Sequence, residues 1–176
     1  VYLVPVAGGT PVKINSAAGG GRGGTRWLSN GHVLVDRQGP DFKQRSIFIV
    51  DANTGAQTLV QEDVKTTFWS IPGGAGAGSQ ASPDGKWISF LSDRHGWDHL
   101  YVAAVPVESP AASGPAPSAT PAIAPTQVTR GAFEAWRPAW SPDSTRLAWF
   151  NPFSIVTSDP DGGRQHELTR GRGGGV

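Results

Sequence analysis

The sequence predicts an all-β fold, a partial β-propeller of about four blades with the first incomplete, each full blade a four-stranded antiparallel sheet. Three observations carry this expectation. The stretch Ala81 to Val102, ASPDGKWISFLSDRHGWDHLYV, reappears in altered form from Ala139 as AWSPDSTRLAWF, so Ser-Pro-Asp twice precedes a short apolar strand. The tail behind each copy recurs too, as QVTRG ending at Gly131 and ELTRG ending at Gly171, 40 residues apart. A period of ~40–45 residues is that of one propeller blade, a unit that cannot bury its faces alone. Finally, no segment sustains apolar residues at i, i+3, i+4 and i+7 for the length of a helix.

The Ser-Pro-Asp copies are 59 residues apart, and the excess has a visible cause. Pro106 to Pro125, PVESPAASGPAPSATPAIAP, is 20 residues of almost only Pro, Ala, Ser and Gly; without it the spacing falls to 39. Prolines cannot donate to a ladder, so this segment is expected as a solvated insertion between the third and fourth strands of one blade.

Taken in order, Val1 to Ile14 (VYLVPVAGGTPVKI) reads as two closing strands around an Ala-Gly-Gly turn, a partial blade over residues 1–15. A blade over 25–63 follows. In it RWLSNGHVLVD turns at Ser29-Asn30-Gly31, where Asn-Gly suits the φ > 0 positions of a tight hairpin, and RSIFIVDANTGAQTLVQ turns at Asp51 to Gly55. The next blade spans 68–131 with the insertion 106–125, and the last spans 136–171. In Ser82-Pro83-Asp84-Gly85 the proline presets a type I turn and glycine ends it; Ser144 in place of that glycine predicts a looser hairpin. Lys86 to Leu91 and Arg146 to Phe150 are apolar on both faces, as a strand between two neighbouring blades requires. Five of the seven tryptophans (Trp69, Trp87, Trp136, Trp140, Trp149) cluster near the starts of the later blades and are assigned to packing between blades; an aromatic binding platform is the alternative. Four blades do not close a ring of ~4–8 blades when one is incomplete, and the chain opens in mid-blade without Met, so a segment of a longer protein is expected.

Composition excludes several classes. Fifteen Lys plus Arg against fourteen Asp plus Glu, with no long run of either sign, gives none of the basic stripe of a nucleic-acid binder. Zero cysteines exclude disulfides, thiolate metal sites and a Cys nucleophile, and are compatible with bacterial cytoplasm or periplasm. No apolar run approaches the ~18 residues of a membrane span. There is no Gly-x-Ser-x-Gly elbow and no phosphate loop; the Gly runs Gly19 to Gly24 and Gly73 to Gly78 read as loops. No cofactor is implied.

Two places hold candidate chemistry. Asp93, Arg94, His95, Asp98 and His99 offer carboxylate and imidazole ligands. However, Asp93 to Gly96 form a turn, and Asp98 and His99 alternate across a strand, so a capped hairpin with a partly exposed His99 is the plainer expectation. Glu134, between Phe133 and Trp136 in an inter-blade loop, is the substrate-facing candidate, since loops on one propeller face often carry function. A solvated carboxylate is its structural alternative. No serine (Ser82, Ser89, Ser141, Ser158) and no histidine (His32, His95, His99, His166) belongs to a recognisable nucleophile-base motif, so the chain is expected to be non-catalytic.

These residues bring a resemblance into view. SPDGKWISFLSDRHGWDHLYV and TQVTRGAFEAWRPAWSPDSTRLAW are similar to the non-catalytic propeller of the prolyl oligopeptidase family of serine peptidases, the dipeptidyl-peptidase IV branch especially. There a Gly-aromatic turn and His-Leu-Tyr precede Leu-Thr-x-Gly and an aromatic-acidic loop. The resemblance spans Phe68 to Gly171. It implies WD40-like or TolB-like blades capping a C-terminal α/β-hydrolase domain outside this chain, with peptides as substrates and a gating role for the propeller. The double-Glu motif of dipeptidyl peptidases is missing, and Glu134 does not match it. A TolB-like propeller scaffold for protein–protein interaction is the alternative reading; a sugar-acid lyase with a His-metal centre is a third.

Overall fold

A computed structural model describes residues 2–13, 23–67, 78–106 and 123–170. Among these the chain is strands and turns throughout, and no helix is long and apolar enough to cross a membrane. It divides into two compact units, Val1–Trp69 with Pro106–Ile123, and Ser70–Val105 with Ala124–Val176.

The first unit holds a two-stranded and a four-stranded antiparallel sheet. β1 (Tyr2–Leu3) pairs with β2 (Val12–Lys13). β3 (Gly23–Trp27), β4 (His32–Gln38), β5 (Gln44–Asp51) and β6 (Gln57–Val64) form one blade in sequence order. Gly23 and Gly24, read from sequence as loop, open β3 opposite Arg37 and Asp36. Val33, Val35 and Val50 form the core, with Leu3 of β1 packed against it.

The hairpin between β3 and β4 departs from the expected two φ > 0 positions, because only Gly31 lies there (φ 84). Leu28 accepts from the Gly31 amide and donates to the His32 carbonyl, closing a three-residue loop in which one left-handed residue suffices. Asp51 closes the β5–β6 turn: its carboxylate accepts the Asn53 and Thr54 amides, each at 2.8 Å. Those bonds, Thr54's foremost, hold its carboxyl below the ordinary aspartate range.

Sequence reading missed a partly buried ion pair in this blade. Arg45 on β5, 1% exposed, donates through Nε (2.9 Å) and Nη2 (2.7 Å) to the two oxygens of Asp36 on β4. Buried Asp63, opposite Arg45 on β6, accepts from Gln61. Such a fork satisfies both groups where neither would be tolerated alone.

The second unit holds two blades. β7 (Gln80–Ala81), β8 (Trp87–Ser92), β9 (His99–Ala104) and β10 (Thr126–Gln127) form one; β11 (Trp136–Trp140), β12 (Leu147–Phe150), β13 (Ser154–Ser158) and β14 (His166–Arg170) the other. Leu91, Leu100, Val102 and Val128 of the first meet Leu147, Trp149 and Val156 of the second in one core, with Trp87 and Trp140 packed against it. Three of the five tryptophans assigned to packing thus do so; Trp136 is 38% exposed, and Trp69 lies outside the described residues. β8 is buried on both faces from Ile88 to Ser92, whereas β12 alternates, with Leu147 and Trp149 inside and Phe150 43% exposed.

One turn expectation is revised. The Ser141–Ser144 turn is not looser than Ser82–Gly85: Ser144 adopts φ 61 against 71 at Gly85, and both close with the same amide-to-carbonyl bond at 2.9 Å. The β12–β13 turn is trimmed to Pro152-Phe153, with the Asn151 carboxamide accepting the Phe153 and Ser154 amides.

Most of the Pro/Ala-rich stretch, 107–122, lies outside the described residues, as do Phe68 and Ile14. Its described end is tied down in the first unit, where the half-buried Ile123 donates its amide to the Leu59 carbonyl.

Candidate functional site

The two sequence candidates meet at one end of the second unit. The β8–β9 turn, Asp93 to Asp98, and the β10–β11 connection, Val128 to Ala135, are joined by the Ala135 amide donating to the Asp98 carbonyl at 2.7 Å. The turn forms because the Gly96 amide reaches the Asp93 carbonyl (2.8 Å) with Gly96 at φ 96. The connection bends at Gly131, φ 127, where an added Cβ would come within 2.9 Å of the Phe133 ring; only glycine lets that ring fold back.

His99 is the hinge of this junction, and it is buried (3% exposed), not partly exposed as expected. The Phe133 ring covers it edge-on at 5.9 Å, and Nδ1 lies 3.2 Å from the Thr129 hydroxyl. Thr129 also accepts the Leu100 amide at 2.9 Å, which leaves its proton for His99 Nδ1 and favours neutral imidazole. Burial above all, then the charges of His95 and Arg130, lower the His99 pKa.

In this turn Ser92 Oγ accepts the Arg94 amide at 3.4 Å. The Arg94 guanidinium lies 4.2 Å above the Tyr101 ring, which stacks on Phe90 and hydrogen-bonds His95 Nδ1 at 2.7 Å. Thus Arg94 and His95 stand on an aromatic base, exposed. Glu134 is half-buried, and its carboxylate accepts the Trp136 indole N–H at 3.1 Å.

The cluster does not come together as a metal centre: among the described residues no group of three or more His, Asp or Glu could hold an ion. Thr129 is 1% exposed and engaged by a backbone amide, so its contact with His99 does not make a nucleophile and base. Ser89, equally buried, lies on β8 between Ile88 and Phe90. The arrangement is a polar, aromatic rim on the junction of two connections.

Sequence reading did not single out Arg137. The register of β11 on β12 slips between Trp136, opposite Phe150, and Ala139, opposite Ala148, so one residue is extra. Arg137 sits in that bulge at φ 48, exposed.

Among solved folds the chain is similar to dipeptidyl peptidase 4 of Porphyromonas gingivalis, with TM-score 0.67 and 11% identity over 96% of this chain and 22% of that one. It is also similar to a protein assigned as TolB from Agrobacterium tumefaciens (TM-score 0.53, 20% identity, 97% of this chain and 58% of that one). TolB from Acinetobacter baumannii gives TM-score 0.53 and 20% identity over 96% of this chain and 37% of its own length. Identities this low speak to the propeller fold alone, and the chain spans less than two thirds of each of these proteins. No curated protein matches it in sequence. The family model described as the dipeptidyl peptidase IV N-terminal region matches residues 23–158, well over half of the chain. Blades, turns and match agree: this chain belongs to the dipeptidyl peptidase IV N-terminal region family, as a propeller segment.

Proposed function

We propose that this chain is the non-catalytic propeller segment of a serine peptidase of the prolyl oligopeptidase family, gating peptide access to an α/β-hydrolase domain outside the chain. The observation that carries the reading is the family match over residues 23–158. It takes the blades as 1–15, 25–63, 68–131 and 136–171, with Glu134 as a side chain facing substrate. Gating is steric. Burying a reactive serine behind rigid blades admits short unstructured peptides and rejects folded proteins, whose unfolding at the entrance would cost more than binding returns. No cofactor and no nucleic acid enters this reading. The likeness to TolB at 20% identity favours a second reading, a scaffold for protein–protein contact.

A fluorophosphonate probe separates the two. It is applied to this chain and to the longer polypeptide that contains it. The expected result is no labelling of the chain and labelling of one serine in the longer product, with removal of the blades admitting larger peptides. A labelled chain overturns the non-catalytic assignment. A folded but unlabelled longer product leaves the scaffold.

A further inference from the structure

Among the described residues, four non-glycine residues have positive φ: Phe42, Arg137, Ser144 and Arg164. Phe42 and Ser144 complete hairpin turns and Arg164 adjoins one, so turn geometry demands their conformation. Arg137 is different. It lies inside β11, at a bulge position whose left-handed backbone suits glycine. Bulges re-aim side chains beside functional sites, and a strained residue there is grounds for a functional hypothesis. Arg137 is exposed, as is Trp136 before it in the sequence.

Two further arginines belong to the same junction. Arg130 and Arg94 are exposed on the connection and turn that the Ala135–Asp98 bond holds together. Among the described residues neither Arg130 nor Arg137 takes part in a salt bridge. The acidic groups of this end are Glu134, which accepts from Trp136, and Asp93 and Asp98, both half-buried and engaged. The charge of Arg130 is felt at His99, whose proton affinity it helps to lower.

We propose that this end of the second unit, centred on Arg137 with Arg130 and Arg94, binds a carboxylate of an acidic peptide. Planar guanidinium forks match a carboxylate, and Trp136 and Trp97, 45% exposed, offer apolar surface to the side chains flanking it. A polyanion such as nucleic acid is disfavoured, because three arginines interleaved with three carboxylates on a chain of net charge +1 give no extended basic track. The inference goes beyond the gating reading and needs no hydrolysis, so the two fail separately.

The test measures binding to the full chain, by calorimetry, of the capped tripeptide acetyl-Ala-Phe-Glu-amide and its Gln counterpart, with inorganic phosphate as competitor. The Glu peptide is expected to bind at least tenfold more tightly, with a preference that weakens as salt rises. Arg137→Gly and Arg137→Asn both suit a left-handed backbone, so each should keep or raise Tm while abolishing the preference. Arg137→Lys should retain part of it, and Arg130→Gln should reduce it several-fold. Equal affinity for the two peptides, or a preference that survives in Arg137→Gly, overturns the proposal. So does a fall in Tm in both variants, which would assign Arg137 to the fold, or full displacement by millimolar phosphate, which would leave only a generic anion site.

Discussion

The two Ser-Pro-Asp hairpins of the second unit are the same turn solved with different residues. In both, the serine hydroxyl donates to the aspartate two positions on at 2.6 Å and accepts an amide from the strand beyond, Trp87 in one and Arg146 in the other. In both, the fourth residue is left-handed. Glycine pays nothing there, whereas for Ser144 the conformation costs about 1–2 kcal/mol. The compensation lies in the other hairpin: Ser144 Oγ accepts the Asp84 amide at 3.0 Å, tying adjacent blades together. Replacing glycine therefore did not loosen the turn; it converted a local turn into a joint between repeats. A side chain at a left-handed position is better read as a question about its partner than as a defect.

The larger difference between the blades is in their second strands, and it sets the largest expected effect. Trp149 faces the shared core and is 2% exposed, whereas its neighbour Phe150 is 43% exposed on the opposite face. Trp149→Ala should cost about 3–5 kcal/mol in urea denaturation. The lower end is expected, since the buried indole N–H finds no acceptor among the described residues. Phe150→Ala should stay within about 1 kcal/mol. Equal losses would show that the Phe150 face is covered after all, and would make the two blades equivalent.

How far these features were legible follows from what sets them. Turn chemistry and strand hydrophobicity are local, so the blades and the positions of the Ser-Pro-Asp turns could be read directly. Register is not local. Asp36 and Arg45 look like ordinary polar positions until β4 and β5 are aligned, when they become a partly buried diagonal pair. Arg137 looks like one residue of a strand until pairing places it within a bulge. At the candidate site, the motif drew attention to Asp93–His99 and to Glu134 separately. That they share one junction depends on the Ala135–Asp98 and His99–Phe133 contacts between segments about 35 residues apart, a closure only the fold supplies. The exposure of His99 was misjudged for the same reason: Phe133 covers it from the next connection.

A smaller effect tests the joint itself. Gly85→Ala forces a Cβ onto φ 71 with no new partner and should cost about 1–2 kcal/mol. Ser144→Gly relieves the same strain but gives up a hydrogen bond worth about 0.5–1.5 kcal/mol, so its net change should lie near zero. Ser144→Ala keeps the strain and strands the Asp84 amide, and should fall below both wild type and Ser144→Gly by about 1 kcal/mol. If Ser144→Gly instead stabilises the chain by the full strain energy, the cross-blade bond contributes nothing and the two turns are merely alike.

The smallest effect concerns the two turn aspartates. Asp143 accepts the Ser141 hydroxyl, the Thr145 amide and the Thr145 hydroxyl, which lower its pKa from 3.8 to about 2. At Asp84 partial burial pushes the other way, and is outweighed by the Ser82 hydroxyl, the Lys86 amide, Ser144 and the Lys86 charge, so its pKa is lowered too. In both cases the unfolded chain binds the proton more readily than the folded one. Stability from these bonds is thus complete above the unfolded aspartate pKa near 3.8 and is lost as pH falls, through about 2 for Asp143. Carboxyl carbon shifts followed by NMR between pH 5 and pH 1.5 should place the Asp143 midpoint near 2 and the Asp84 midpoint below 3.8. Asp143→Asn keeps a carbonyl acceptor for the Thr145 amide while removing the charge, so it should flatten the acid limb of the stability curve without altering the Asp84 midpoint. A midpoint for Asp143 at the ordinary aspartate value would mean that the exposed hydroxyl bonds do not persist in solution. The shared turn geometry would then owe its form to proline and the left-handed fourth residue alone.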